Sequence, residues 1–100
     1  MKSGKLTHGP PPHATRISDM RNLGPKSEAM LAAAGIATPQ ALATCGAVAA
    51  FIALKRAGQP VSLNALWAIE GALSDRDWRD VARNDKLRLL AELDARGVRV

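Results

Sequence analysis

Residues 20–31, Met-Arg-Asn-Leu-Gly-Pro-Lys-Ser-Glu-Ala-Met-Leu, join a short helix to a longer one through a turn that contains glycine and proline. Ser18 is placed to cap a one-turn helix that ends at Asn22. Pro25 suits the first position of the next helix, which we predict over residues 25–34. The stretch therefore predicts two helices that meet at a tight turn.

This turn has the chemistry of an anion site. The first N–H groups of a helix have no intrahelical acceptor, and the helix dipole is positive at that end. Lys26 places a positive charge beside these amides, and phosphate oxygens bind where such groups converge. We therefore predict a hairpin that contacts phosphate or DNA, made of Asn22, Leu23, Gly24, Pro25, Lys26 and Ser27.

The spacing resembles the helix-hairpin-helix motif of sequence-independent DNA binders, in which a hydrophobic-Gly-hydrophobic-Gly-x-Lys hairpin places amides on a DNA phosphate. Leu23, Gly24 and Lys26 match, whereas Asn22 stands where the motif has its first glycine. Asparagine tolerates a positive φ better than other non-glycine residues, so the turn can form, but its side chain could crowd a phosphate. The alternative interpretation is a turn that only joins two core helices.

The rest of the chain shows short helical periods interrupted by glycine and proline. We predict helices over residues 39–44, 47–57, 63–73 and 85–96, with a turn around Trp78 between the last two. None of them is long enough for an up-and-down bundle. The predicted fold is a compact all-α domain of five or six short helices.

The composition indicates a helical core without covalent or metal supports. Hydrophobic residues make up 47% of the chain, but aromatic residues only 3%, and alanine is frequent while β-branched residues are few. Cys45 is the single cysteine, so neither an internal disulfide nor a four-cysteine zinc site can form. Aliphatic packing must therefore hold the fold.

The formal net charge is +5, but part of it lies outside the predicted fold. Residues 1–16 include Lys2, Lys5 and Arg16, are rich in proline and have no apolar period, so we predict a disordered basic tail there and a helical domain over residues 17–97. A basic chain suggests nucleic acid as a partner. The position of the charge weakens that inference.

The sequence lacks the parts of an enzyme. Residues 17–97 contain no histidine, and the chain shows no nucleophile–base pair, metal-ligand cluster or Gly-rich phosphate loop. No window approaches a membrane span of about 18 apolar residues, and no secretory segment is present. We therefore expect a cytoplasmic, non-enzymatic protein with no cofactor, metal, small-molecule substrate or membrane contact.

Several spaced blocks form a family pattern along residues 17–96. They are Asn22–Ser27, Gly35-Ile36 with Thr38, Gly46 with Val48, Leu54-Lys55 with Gly58, and Ser62-Leu63-Asn64 leading to Ala68–Leu73 before Trp78. Together they strongly resemble the C-terminal domain of TfoX, also called Sxy, a family of regulators of DNA-uptake competence in bacteria. The resemblance implies a small fold akin to SAM and helix-hairpin-helix domains and a role in the transcriptional regulation of competence genes. The N-terminal α/β domain of full-length TfoX has no counterpart here, so we expect a stand-alone module.

Glu70 is an unusual residue for its position. It follows Leu66 by four residues and Trp67 by three, on the apolar face of its helix. A carboxylate buried there needs a partner, because burial without one costs several kcal/mol. We expect a buried structural carboxylate that accepts hydrogen bonds from a helix N-terminus or pairs with a basic group such as Lys26 or Lys55.

A second basic surface is a weaker prediction. Arg76, Arg79 and Arg83 lie in the densest basic stretch, but aspartates interleave with them, which is typical of a solvated face. Trp67 and Trp78 could stack on bases. At helical spacing among leucines, however, we expect them to be core or half-buried anchors.

Two functions remain open from the sequence. The leading hypothesis is a regulatory module that contacts nonspecific DNA or a protein of the transcription machinery. The alternative is a SAM-like protein-interaction domain without DNA binding, in which the hairpin serves only the fold.

Overall fold

The computed structural model describes residues 15–98, and within that range it contains helices and no strand. A single 3-10 turn, Ile17–Asp19, precedes the α-helices. These are α1 (Pro25–Ala33), α2 (Pro39–Cys45), α3 (Ala47–Arg56), α4 (Leu63–Ser74), α5 (Trp78–Asn84) and α6 (Lys86–Ala95). The predicted all-α class is confirmed. The disorder predicted for residues 1–14 lies outside the described residues.

Local sequence signals set several helix ends. The Thr38 hydroxyl accepts a hydrogen bond from the N–H of Ala41 at 3.0 Å, and Pro39 begins α2, as predicted. Gly46 has φ 85° and separates α2 from α3. Because this left-handed conformation suits glycine, one residue can end a helix and begin the next.

The core is aliphatic, as the composition predicts, and every helix contributes to it. α4 lies between α3 and α5 and contacts both. The largest fully buried side chains include Ile17, Met20, Leu31, Leu42, Phe51, Leu54, Leu66, Ile69, Val81, Leu89 and Leu93. Truncating one such side chain to alanine typically costs about 2–5 kcal/mol, so this cluster holds the domain together.

The turn predicted around Trp78 is wrong, because residues 78–84 form helix α5. The Asp77 carboxylate caps this helix by accepting the N–H of Arg79 at 2.8 Å. α5 is two turns long and buries Val81 as its main apolar residue. Such a short helix shows almost no apolar period, which explains why the pattern missed it.

The predicted capping role of Ser18 is also wrong. Arg16 occupies the N-cap of the 3-10 turn, and its N–H donates to the Asp19 carboxylate at 3.2 Å. The Arg16 guanidinium also contacts α1, as described below. The ordered domain therefore begins slightly before residue 17, and Arg16 belongs to the fold rather than to the tail.

Candidate functional site

The predicted hairpin presents a helix start and one lysine to solvent. α1 begins after Gly24, which supplies no side-chain cap, so the N–H groups of Lys26 and Ser27 have no intrahelical acceptor. Lys26 is exposed and forms no ion pair within residues 15–98, whereas Leu23 is buried and anchors the turn. The hairpin thus combines free amides, the positive end of a helix dipole and an ammonium group.

Asn22 has the positive φ that the motif's glycine would adopt. Its φ is 70°, and its side chain is directed toward the backbone of the α4–α5 region. Nδ2 donates to the Arg76 carbonyl at 2.8 Å, and Oδ1 accepts the Trp78 N–H at 3.3 Å. The amide therefore fastens the hairpin to the core, and whether it also crowds a phosphate stays a prediction.

Gly71 in α4 leaves space for the contact between the Asn22 side chain and the Arg76 carbonyl. A Cβ atom at Gly71 would collide with the Arg76 carbonyl oxygen and with the side-chain nitrogen of Asn22. Only glycine leaves room for the bond between Asn22 and Arg76. Sequence reasoning missed this role, although a glycine inside an apolar helix is a signal of close backbone approach.

A carboxylate also lies in the first turn of α1, but its charge is compensated. The Glu28 side chain accepts a hydrogen bond from Arg16 at 2.8 Å and from the backbone N–H of Ser18 at 3.2 Å. The Arg16 hydrogen bond, followed by that of Ser18, holds the pKa of Glu28 below its usual value. Glu28 therefore cancels Arg16 rather than Lys26.

The second predicted surface does not present three free arginines. Arg76 donates to Asp80 at 2.7 Å and to Asp85 at 2.8 Å, and only 30% of its side chain is exposed. Arg79 pairs with Asp77 at 3.1 Å. Arg83 is exposed on α5. Arg76 thus ties α5 to the start of α6, and any partner contact through Arg79 and Arg83 stays a prediction.

The bonds between Arg76 and Asp85 predict a loss of stability in acid. The Arg76 hydrogen bonds, opposed by burial, lower the pKa of Asp85. This stabilisation is complete above the unfolded pKa of about 3.9 and is lost as the pH falls through the lower folded pKa. We expect the urea midpoint to fall as the pH drops below about 4, and to fall less in Arg76→Met. Identical pH profiles for the two proteins would contradict this account.

Glu70 is buried and pairs with a basic group, as predicted, but that group is Arg88 and not one of the two lysines named as examples. Its side chain is 7% exposed, and Arg88 of α6 donates to it at 3.3 Å. Lys55 instead lies over the Phe51 ring, 5.8 Å from the centroid. Glu70 also lines a small cavity with residues 46–49 at the start of α3, and a hydrogen bond from a helix N-terminus stays a prediction. Glu70 therefore links α4 to α6.

Replacing the Glu70 charge tests this structural role. Glu70→Gln keeps the shape of the side chain but removes the charge that faces Arg88, so we expect a loss of about 1 kcal/mol in the free energy of unfolding. Urea denaturation measures it. Glu92→Gln is the control, because that carboxylate is more exposed, at 39%. An equal effect of both substitutions would show that burial adds nothing at Glu70.

The two tryptophans differ in position. Trp67 is 5% exposed and belongs to the core, as expected, whereas 36% of Trp78 is exposed. The Arg79 guanidinium lies 5.7 Å from the centroid of the Trp78 ring system. Because the backbone N–H of Trp78 donates to Asn22 Oδ1, the start of α5 lies beside the hairpin. We call residues 22–27 with Trp78 and Arg79 the hairpin–α5 face.

Neither a metal-ligand cluster nor a membrane-spanning helix is found within residues 15–98. No group of three or more His, Cys, Asp or Glu residues there could hold a metal ion. No helix in the described range is long and apolar enough to cross a membrane. Cys45 is half-buried at the end of α2.

Comparison with known proteins gives the family. No curated protein matches the chain. A crystal structure of an uncharacterized protein from Listeria monocytogenes is similar, with a TM-score of 0.71 and 28% identity, over 85% of this chain and 98% of that chain. The family model of the TfoX C-terminal domain matches residues 13–93, from before the 3-10 turn into α6. The chain therefore belongs to the TfoX C-terminal domain family.

Proposed function

We propose that this protein is a non-enzymatic regulatory module that binds DNA without sequence preference through the hairpin of residues 22–27. The observation that carries the proposal is the exposed, unpaired Lys26 beside the uncapped start of α1. Family membership supports a role in the transcriptional regulation of competence genes, in which a protein of the transcription machinery is a further partner.

The chemistry of the hairpin suits a phosphate rather than a base. Amides at the start of α1 donate to an anion, and the Lys26 ammonium adds a positive charge. Contacts of this kind position a protein on DNA but carry no sequence information. One hairpin of this type supplies few phosphate contacts, so binding should be weak and sensitive to salt.

Lys26→Ala tests the proposal in a titration of duplex DNA at low and at physiological salt. We expect weaker binding and a salt slope smaller by about one, because one phosphate contact is lost. Arg56→Ala is the matched control. It also removes one exposed positive charge, but Arg56 lines a groove with Ala33 and Ala34 at the opposite end of α1.

Two results would contradict the proposal. The first is an absence of binding to DNA, whether duplex or single-stranded, even at low salt. The second is an affinity that Lys26→Ala leaves unchanged but that is lost when Lys2 and Lys5 are replaced by alanine in the full chain. That result would assign the affinity to the N-terminal segment instead of the hairpin.

A SAM-like protein-interaction domain is the second candidate function. It is favoured by an open groove of about 600 Å³ between the end of α1 and α3, lined mostly by alanines. In this case the bonds of Asn22 make the hairpin purely a part of the fold. This candidate predicts no DNA binding in the titration above.

A further inference from the structure

Two hydrogen bonds at residues 21 and 22 hold the hairpin to the end of α4 and the start of α5. The backbone N–H of Trp78 donates to Asn22 Oδ1 at 3.3 Å. The Arg21 guanidinium donates to the Asp75 carbonyl at 3.1 Å. Trp78 is therefore held beside the hairpin, although the two are far apart in the sequence.

Trp78 leaves 36% of its surface exposed to solvent, and the fold covers the rest. Leu87 is the other large hydrophobic residue exposed within the described range, and Trp78 is the exposed aromatic one. The Arg79 guanidinium lies 5.7 Å from the indole centroid and is itself held by Asp77 at 3.1 Å. An exposed aromatic ring with an adjacent arginine, next to a phosphate contact, is the arrangement on which proteins stack unpaired bases.

The local charges favour one phosphate contact rather than a long basic track. Arg21 lies 3.9 Å from Asp75, and Arg79 is paired with Asp77. Lys26 is the unpaired cation of the hairpin–α5 face. A surface with few free charges gains little from the backbone of a duplex, whose bases are already stacked on one another. It gains more from a strand that can offer a base as well as a phosphate.

We propose that Trp78 stacks on one unpaired base of a DNA strand whose neighbouring phosphate binds at the hairpin. The protein then prefers single-stranded DNA to duplex DNA. This inference rests on the proposed function, because it assumes that the hairpin binds phosphate. It adds Trp78 as a contact residue and single-stranded DNA as the preferred ligand.

The experiment compares an oligothymidylate of about 15 nucleotides with a duplex of the same length. Wild type should bind the single strand more tightly. Trp78→Ala should weaken single-strand binding about 5- to 150-fold, the range for loss of one stacked base, without changing the salt slope or duplex binding. Trp78→Phe should retain most of the affinity. Leu87→Ala, which removes another exposed hydrophobic side chain, should have no effect.

Indole fluorescence gives a second measurement that does not depend on the stability of Trp78→Ala. Bound oligothymidylate should quench the wild type, and Trp78→Phe should lose that quenching, because Trp67 is buried in the core. Absence of quenching in the bound wild type, or unchanged affinity in Trp78→Ala, overturns the stacking inference. Lys26-dependent duplex binding would then leave the proposed function intact, whereas failure of both probes to bind overturns both.

Discussion

Gly71→Ala should lower the free energy of unfolding by about 1–3 kcal/mol, although alanine is the better helix former. The new Cβ would collide with the Arg76 carbonyl oxygen and the Asn22 amide. The carbonyl belongs to the backbone that connects α4 to α5, so it cannot move away as a flexible side chain could. The substitution must therefore displace this connection or break the bond between Arg76 and Asn22.

Urea denaturation of Gly71→Ala and of Gly24→Ala separates the cost of the collision from the effect of replacing any glycine by alanine. Gly24 has no neighbouring atom within 4 Å of a built Cβ and has an ordinary negative φ, so alanine fits there. We expect a loss of at most about 1 kcal/mol at this N-cap position. A neutral or stabilising Gly71→Ala would show that the close approach at Gly71 does not exist in solution.

Asn22→Ala should cost about 3–4 kcal/mol for two separate reasons. Alanine at a φ of 70° costs about 1–2 kcal/mol, since its Cβ crowds the backbone in the left-handed region. The substitution also removes the hydrogen bonds to the Arg76 carbonyl and the Trp78 N–H, each worth about 1 kcal/mol. Chemical denaturation measures the sum.

Asn22→Gly divides this cost into its two parts. Glycine adopts the positive φ freely but makes neither side-chain bond, so we expect an intermediate stability, about 1–2 kcal/mol below wild type. A glycine variant as stable as wild type would mean that the side-chain bonds contribute nothing. That result would contradict the claim that the Asn22 side chain holds the hairpin to α5.

The parts of the fold that were predicted correctly are those that adjacent residues determine. Thr38 caps α2 through a hydrogen bond to a residue three positions away, and Gly46 ends α2 by its own φ. Helix α5 was missed because it buries one main apolar residue, and its stabilising contacts lie outside it, with α4 and with the start of α6. Arg76 joins Asp80 within α5 to Asp85 at the beginning of α6. A hydrophobic period within seven residues cannot indicate such a network of ion pairs.

In the candidate site, too, the features that adjacent residues determine could be predicted, and those that depend on tertiary contacts could not. Lys26 and the free amides of α1 follow from local sequence, so these parts of the candidate site could be predicted. The direction of the Asn22 side chain could not, because its partner Arg76 is 54 residues away. Likewise, the burial of Glu70 followed from its helix face, but its pairing with Arg88 depends on how α6 packs against α4. Tertiary packing decided which groups the hairpin and the carboxylate meet.

Amide chemical-shift mapping by NMR, with duplex DNA added at low salt, tests the central claim that the hairpin contacts phosphate. The account predicts that the largest shifts occur at the N–H groups of Gly24, Lys26 and Ser27, and that Lys26→Ala reduces them. Shifts confined to residues 1–14 or to α6, with the hairpin signals unmoved, would contradict it.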